Sequence, residues 1–358
     1  MDVTRFSRGE NAVPEPATMP NAPVNPLEHP ALQAWLELQL GRVELEDVAI
    51  RTVRCKPKST VYRLVGVGPG GSAVIAKHCL RATAQIEHAV YVEVLQRLPL
   101  TALCCYGLVE EGNGPWCWLF LEDAGEERYS PECADQRALA GRWLGTLHTS
   151  AAHVGATVRL PDRGLGYYLG HLRSARDTVR GSVTNPALAT EDRALLESVV
   201  SCCDALEARW DQVQRSCEGM PRTLVHGDAV AKNVRVRSSP AGLALLPLDW
   251  EMAGWGVPAP DLVQPTAGRC VHSLSADLDA YWLVVREFWP YLSVQDLCRW
   301  ADWGRCFRLL AMTDWLSVKL AYPWLDKPLA GLRIYHAELA RALRGAGWTE
   351  GGSSTGGF

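Results

Sequence analysis

The chain has 358 residues, a length that by domain-size scaling accommodates two compact lobes with a sizeable core. Hydrophobic residues make up 47% and charged residues 21%, which excludes a chain disordered throughout; 36 Lys+Arg against 40 Asp+Glu lack the basic surplus that nucleic acid attracts. No apolar run, the longest being of the Leu243 to Leu248 kind, approaches the ~18 residues that span a bilayer.

Residues 1–30 hold Pro14, Pro16, Pro20, Pro23, Pro26 and Pro30 among small polar residues, and read as a flexible tail without the apolar core of an export signal. Leu32, Trp35, Leu36 and Leu40 then recur at helical spacing up to Gly41. Val48 to Val53, Thr60 to Val65 and Ala73 to Lys77 are β-rich runs that predict an antiparallel meander. The cluster Gly68-Pro69-Gly70-Gly71 is a turn, because no Gly-Lys dipeptide exists to make a phosphate-binding P-loop. Residues 84–98 form an amphipathic helix with Ile86, Ala89, Val90, Val94 and Leu98 on one stripe, stopped by Pro99.

Two further β-runs, Leu103 to Glu110 and Trp116 to Leu121, precede a mostly helical remainder, with helices expected over 134–150, 190–215 and, rich in tryptophan, between 276 and 345. Gly351 to Gly357 is a solvated tail; its Gly352-Ser353-Ser354-Thr355-Gly356 lacks the strand-turn-helix setting of a nucleophile elbow. Twelve cysteines without ligand spacing read as free thiols of a reducing, cytoplasmic setting.

The segment Arg222 to Leu262 carries the chemistry. Val234 to Arg237 and Leu243 to Leu248 flank the turn Ser238 to Gly242, so they predict a hairpin centred near Pro240 with Asn233 opposite Pro247. Asp249 lies just beyond, and cross-strand neighbours stand about 5 Å apart, so an amide oxygen and a carboxylate converge at the open end. A few hard oxygen ligands without a full protein cage suit Mg²⁺ carried by a nucleotide's phosphates. Asp228, five residues before Asn233 in a glycine-containing loop, is suited to accept the proton of a hydroxyl that attacks phosphorus.

The spacing His226-Gly227-Asp228-x-x-x-x-Asn233, followed by Asp249-Trp250-Glu251 and by Gly256-Val257-Pro258-Ala259-Pro260-Asp261, resembles the aminoglycoside phosphotransferase and choline kinase-like family. The resemblance spans roughly 45–265. It implies an α+β, protein-kinase-like two-lobe fold: a nucleotide-binding lobe over 31–122, a small antiparallel sheet, and a larger mainly helical lobe over 123–348, with 349–358 as a tail.

It also implies an ATP- and Mg²⁺-dependent phosphotransferase acting on a small-molecule hydroxyl acceptor, either a metabolite or an aminoglycoside-like antibiotic; the charge balance and the short apolar runs point to no nucleic-acid or membrane partner. Asp228 is then the base, Asn233 and Asp249 are the Mg²⁺ ligands, and Asp261 braces the loop. In the first lobe, Lys77 is the lysine facing the nucleotide phosphates, one of only six lysines in the chain. Glu87 matches the family's placement of its carboxylate partner, with Glu93 as the competitor, and Glu122 marks the connector that reads the adenine edge.

A catalytically silent nucleotide-binding scaffold is the alternative, opposed by the intact Asp228, Asn233 and Asp249. Glu251 is either an outer group at the metal or surface charge. Asp277, Asp279, Asp296 and Asp302 are candidate carboxylates for a polycationic acceptor, and Trp282, Trp289, Trp300, Trp303, Trp315 and Trp324 are core or cavity-lining residues.

Overall fold

A computed structural model describes residues 25–41, 47–154, 158–240, 242–264 and 273–348. They fall into two compact units, one made of 25–85 and 104–123, the other of 86–103 and the residues from 124 onward. The division thus groups 86–103 with the helical part, whereas the sequence suggests a single boundary near 122. Residues 1–24 of the expected N-terminal tail, and the expected C-terminal tail 349–358 with its Gly-Ser-Ser-Thr-Gly run, lie outside the described residues. Pro26–Glu28, by contrast, form a short 3₁₀ turn that leads into the first helix.

In the first unit α1 (Pro30–Leu38) begins on a proline, whose missing N–H is no loss at the first helical position. It ends where Gly41 N donates to Leu36 O. Five strands follow: β1 (Ala49–Lys56), β2 (Ser59–Val65), β3 (Val74–Leu80), β4 (Cys105–Glu110) and β5 (Trp116–Glu122). They form one antiparallel sheet in the order β1-β2-β3-β5-β4. Alternation along β3 sends Val74 and Ala76 to a core with Leu32, Trp35, Leu64 and Phe120. Lys77 goes to the other face with Ile75 and Cys79. Trp35 fixes the helix on the sheet by donating its indole N–H to Val67 O at 3.1 Å.

The amphipathic helix expected over 84–98 is α2 (Arg81–Ala89), continued by a π-helical stretch Val90–Val94 and a 3₁₀ turn Leu95–Arg97. The second unit then runs through α3 (Ala134–Val154), the short β6 (Asp162–Arg163), α4 (Leu165–Ser182), α5 (Thr190–Ala208) and α6 (Trp210–Ser216). α4 is a helix beyond those expected from the sequence, and the single helix expected over 190–215 is broken at Arg209 into α5 and α6.

Next come β7 (Thr223–Val225), the hairpin β8 (Val234–Ser239) and β9 (Gly242–Pro247), β10 (Gly254–Gly256), α7 (Leu278–Val285), α8 (Val294–Ser317) and α9 (Asp326–Gly345). A three-stranded sheet in the order β6-β10-β7 holds the segments that lead into and out of the hairpin. The hairpin turn is tighter than predicted: Ser239 pairs with Gly242 and Val234 with Pro247, one residue away from the predicted register. Leu248 N therefore donates to Asn233 O at 2.7 Å, which puts Asn233 opposite Leu248 and brings Asp249 still nearer in sequence to the paired end.

The long α8 begins with a capping box, Ser293 and Asp296 exchanging side-chain and backbone hydrogen bonds. It lies against the turn Ala259–Asp261 so closely that a Cβ on Gly304 would overlap Ala259 O, and only glycine permits that approach. One turn further along α8 is Arg308, which this contact holds at the level of the loop 226–233. Trp289, Trp300 and Trp303 are buried, while Trp315 and Trp324 are exposed by 47% and 62%. The described cysteines are free thiols.

Candidate active site

β7 delivers the chain into His226, Gly227 and Asp228. Gly227 has φ +76°, and a Cβ there would stand 2.5 Å from Met252 O, so the turn requires glycine on both counts. Asp261 clamps the same turn from below, accepting from His226 N (2.7 Å to Oδ2) and Gly227 N (3.0 Å to Oδ1). Its carboxylate is buried and sits 3.5 Å from His148 Nε2, while His148 Nδ1 lies 3.0 Å from the Tyr281 hydroxyl. Burial works to raise the Asp261 pKa, but the hydrogen bond and charge of His148, together with His226, outweigh it and hold the group below the usual carboxylate range. The His226 ring braces the loop in turn, with Nε2 3.0 Å from Leu248 O and its face 4.5 Å from Trp250.

The Asp228 carboxylate, 31% exposed, is held from three sides. Asn233 Nδ2 donates to Oδ2 at 2.9 Å and to the Asp228 backbone oxygen at 3.1 Å. Lys232 Nζ is 3.5 Å from Oδ2, and Arg308 Nη2 from α8 donates to Oδ1 at 3.3 Å. Because both Asn233 contacts need an N–H, its amide is oriented by donor logic, and the carbonyl oxygen is the atom left to bind a cation. Arg308 is buried, which lowers its pKa against the opposing pull of Asp228 and Asp261, yet a guanidinium stays charged under all ordinary conditions.

At the foot of the hairpin, Asp249 adopts a left-handed backbone, φ +64° and ψ +57°, ahead of the 3₁₀ turn Trp250–Met252. Aspartate is among the few residues that enter this region, at a cost of about 1–2 kcal/mol. Carboxylate oxygens of Glu87, Asp249 and Glu251 lie within 4.8 Å of one another. Three like charges at that spacing repel, and Glu87 is fully buried, so the cluster fits a hard divalent cation such as Mg²⁺. Glu87, expected from the sequence as the partner of Lys77, thus also lies near Asp249 and Glu251, and Glu251 is the exposed member of the group.

Beside the loop opens a cavity of about 470 Å³ whose described lining belongs to the second unit, with Asp228 and Arg308 in its wall. None of Asp277, Asp279, Asp296 and Asp302 lines it. Asp277 caps α7 and Asp296 caps α8, while Asp302 pairs with Arg305 at 3.2 Å.

Two predicted residues lie in the first unit. Lys77 is 5% exposed on β3, between its cross-strand partners Val61 and Leu119. Glu122 ends β5, where its Oε2 accepts from Cys104 N at 3.0 Å and its own N–H donates to Cys104 O at 2.8 Å.

Arg308, His148 and Tyr281 were not named as site residues from sequence. Arg308 did leave a signal: it stands in the apolar run around Cys306, Phe307, Leu309 and Leu310 without an acidic residue three or four positions away, so its charge had to be met by a distant part of the chain.

An antiparallel-sheet unit and a helical unit that carries an Asp-centred loop and a carboxylate-bearing hairpin foot make up a protein-kinase-like α+β fold. The sequence profile of the phosphotransferase enzyme family matches residues 59–286, and the chain belongs to that family. No curated protein matches it significantly.

Solved structures share the fold at low identity. The GDP and kanamycin complex of APH(2″)-IIIa aligns with TM-score 0.58 and 11% identity, covering 87% of this chain and 98% of that one. Macrolide 2′-phosphotransferase from Brachybacterium faecium aligns with TM-score 0.54 and 15% identity, covering 86% and 97%. Plasmodium vivax ethanolamine kinase gives 0.54 and 9%, covering 84% and 83%. Among the described residues no helix is long and apolar enough to cross a membrane.

Proposed function

We propose that the protein transfers the γ-phosphoryl group of ATP to a hydroxyl of a small molecule, with Asp228 as the base that orients and deprotonates the acceptor. The observation that carries this reading is the Asp228 carboxylate, partly exposed in the wall of the cavity and held between Asn233 and Arg308. A carboxylate so restrained keeps one direction toward an incoming hydroxyl, and positioning of that kind supplies much of a phosphoryl-transfer enzyme's rate.

Asn233, through its amide oxygen, and Asp249 are the residues assigned to Mg²⁺, with Glu251 and Glu87 completing a negatively charged surround. Mg²⁺, when bound with the nucleotide, offsets charge on the phosphate oxygens. Lys77 and the connector at Glu122 are assigned to the nucleotide. Lys232, beside Asp228, is placed to meet charge developing on the transferred group.

The test measures ADP release and product phosphate from Mg·ATP and from Mg·GTP across amino alcohols, sugars, hydroxy acids and antibiotics, with Asp228→Ala as control. At least one acceptor should be phosphorylated, and its turnover should fall by about 10³-fold or more in the variant while Mg·nucleotide binding persists. Nucleotide binding without transfer to any acceptor would turn the reading toward the silent scaffold.

A further inference from the structure

The cavity beside Asp228 has a charge pattern that the family assignment does not dictate. Four cationic side chains line it, Arg163, Lys232, Arg308 and Lys319, against two carboxylates, Asp228 and Glu251. Each carboxylate has charged neighbours. Asp228 faces Arg308 and Lys232, and Glu251 lies with Glu87 and Asp249. Arg308 and Lys232 are thereby partly neutralised next to the reacting position.

The other two cations belong to different elements. Arg163 ends β6, donates from Nε to Met252 O at 2.9 Å, and lies over the Tyr167 ring with its guanidinium carbon 4.4 Å from the centroid. Lys319, in the 3₁₀ turn after α8, is exposed; its carbonyl accepts from Tyr322 N at 3.2 Å, while its ammonium makes no hydrogen bond or ion pair among the described residues.

The remaining wall is apolar and aromatic. Trp315 is 47% exposed and meets His171 edge-on at 5.8 Å, leaving indole surface toward the cavity. Aromatic walls also form cages for quaternary ammonium groups, but such cages need ring faces free of other cations. Here Arg163 already covers a face of Tyr167, and an ammonium entering the cavity would meet Lys319 and Arg163 as like charges.

We infer that the acceptor of this site is an alcohol with a flat apolar body and an anionic group, a carboxylate or a phosphate, held by Lys319 and Arg163 while its hydroxyl faces Asp228. This rests on the phosphotransferase reading of the same site. Exposed ion pairs of this type contribute modestly to affinity and more to selectivity, so the effect is expected in the ratio between charged analogues.

Three probes of one shape separate the charges: para-hydroxymethyl benzoate, para-hydroxymethyl benzylamine and para-benzenedimethanol. Dissociation constants are measured by ligand-observed NMR on the full chain with Mg·ADP, and phosphate transfer from Mg·ATP is followed in parallel. The benzoate should bind about tenfold more tightly than the benzylamine. Lys319→Glu should abolish most of that ratio, and Lys319→Arg should keep it. The inference is overturned if the benzylamine binds as well as or better than the benzoate, if no benzoate binding is seen, or if the ratio survives in Lys319→Glu. Failure of the kinase reading looks different: the charge preference then persists in binding, while no hydroxyl compound in this set or in the wider acceptor panel receives phosphate.

Discussion

Arg308 and Asp228, separated by 80 residues in the chain, meet at 3.3 Å between Nη2 and Oδ1. The guanidinium also reaches Ala229 O at 3.4 Å, so it holds both the carboxylate and the backbone that follows it. This is a means of fixing one rotamer of the proposed base from a helix that the loop itself does not contain.

Loss of that hold should appear in turnover more than in nucleotide affinity. Arg308→Met, which keeps much of the side-chain volume, is expected to lower kcat about 10–100-fold while the KM for nucleotide stays within about twofold. Arg308→Lys should recover part of the loss, because a point charge lacks the guanidinium fork. Steady-state kinetics with the best acceptor decide it, and an unchanged kcat in Arg308→Met would remove Arg308 from the mechanism.

Asp261 makes a pH-dependent contribution to stability. Its carboxyl titrates lower in the folded chain than in the unfolded one. The stabilisation is therefore complete above the unfolded value of about 3.9 and is lost as pH falls through the folded value. Asp261→Asn should destabilise the protein by about 2–4 kcal/mol at neutral pH, since one of two buried amides loses a charged acceptor. Denaturant titrations should show the gap between wild type and variant narrowing below about pH 4. A gap that stays constant on acidification would refute the assignment.

Gly227 has no tolerated replacement. Gly227→Ala combines a positive φ with a Cβ pressed against Met252 O, and should cost about 2–3 kcal/mol together with displacement of Asp228. Thermal unfolding should show the first effect and a fall in kcat the second.

The carboxylates at the hairpin foot should separate by their Mg²⁺ dependence. Asp249→Asn is expected to raise the Mg²⁺ concentration for half-maximal turnover by about tenfold or more, and Glu251→Gln by less, because Glu251 is the most exposed of the three. Nucleotide binding in EDTA serves as the control that leaves both variants equal to wild type.

How far the sequence disclosed this depended on how local the determinants are. The loop from His226 to Asn233 is set by six intervening or flanking residues and its spacing could be read directly. Asn233 bonds Asp228 as close neighbours in sequence should. The hairpin was legible but displaced by one residue, because a left-handed Gly242, φ +113°, closes a tighter turn than the composition of 238–242 suggested.

α4 escaped notice although Tyr168, Leu172, Ala175 and Val179 keep helical spacing, since glycines and arginines between them dilute the pattern. The grouping of Glu87 with Glu251, and of Arg308 with Asp228, arises from tertiary packing and left only indirect traces in the chain.

The β8–β9 hairpin fastens its two ends differently. Its foot carries Asn233 and Asp249, where a slip of a single residue would reverse which side each strand presents. Its tip, beyond Ser239 and Gly242, bears none of the residues assigned to the site, so added length there should leave the ladder in register. A short fluorescent insert at that outer bend would leave Asn233 and Asp249 facing each other and would watch the hairpin from the end farthest from them.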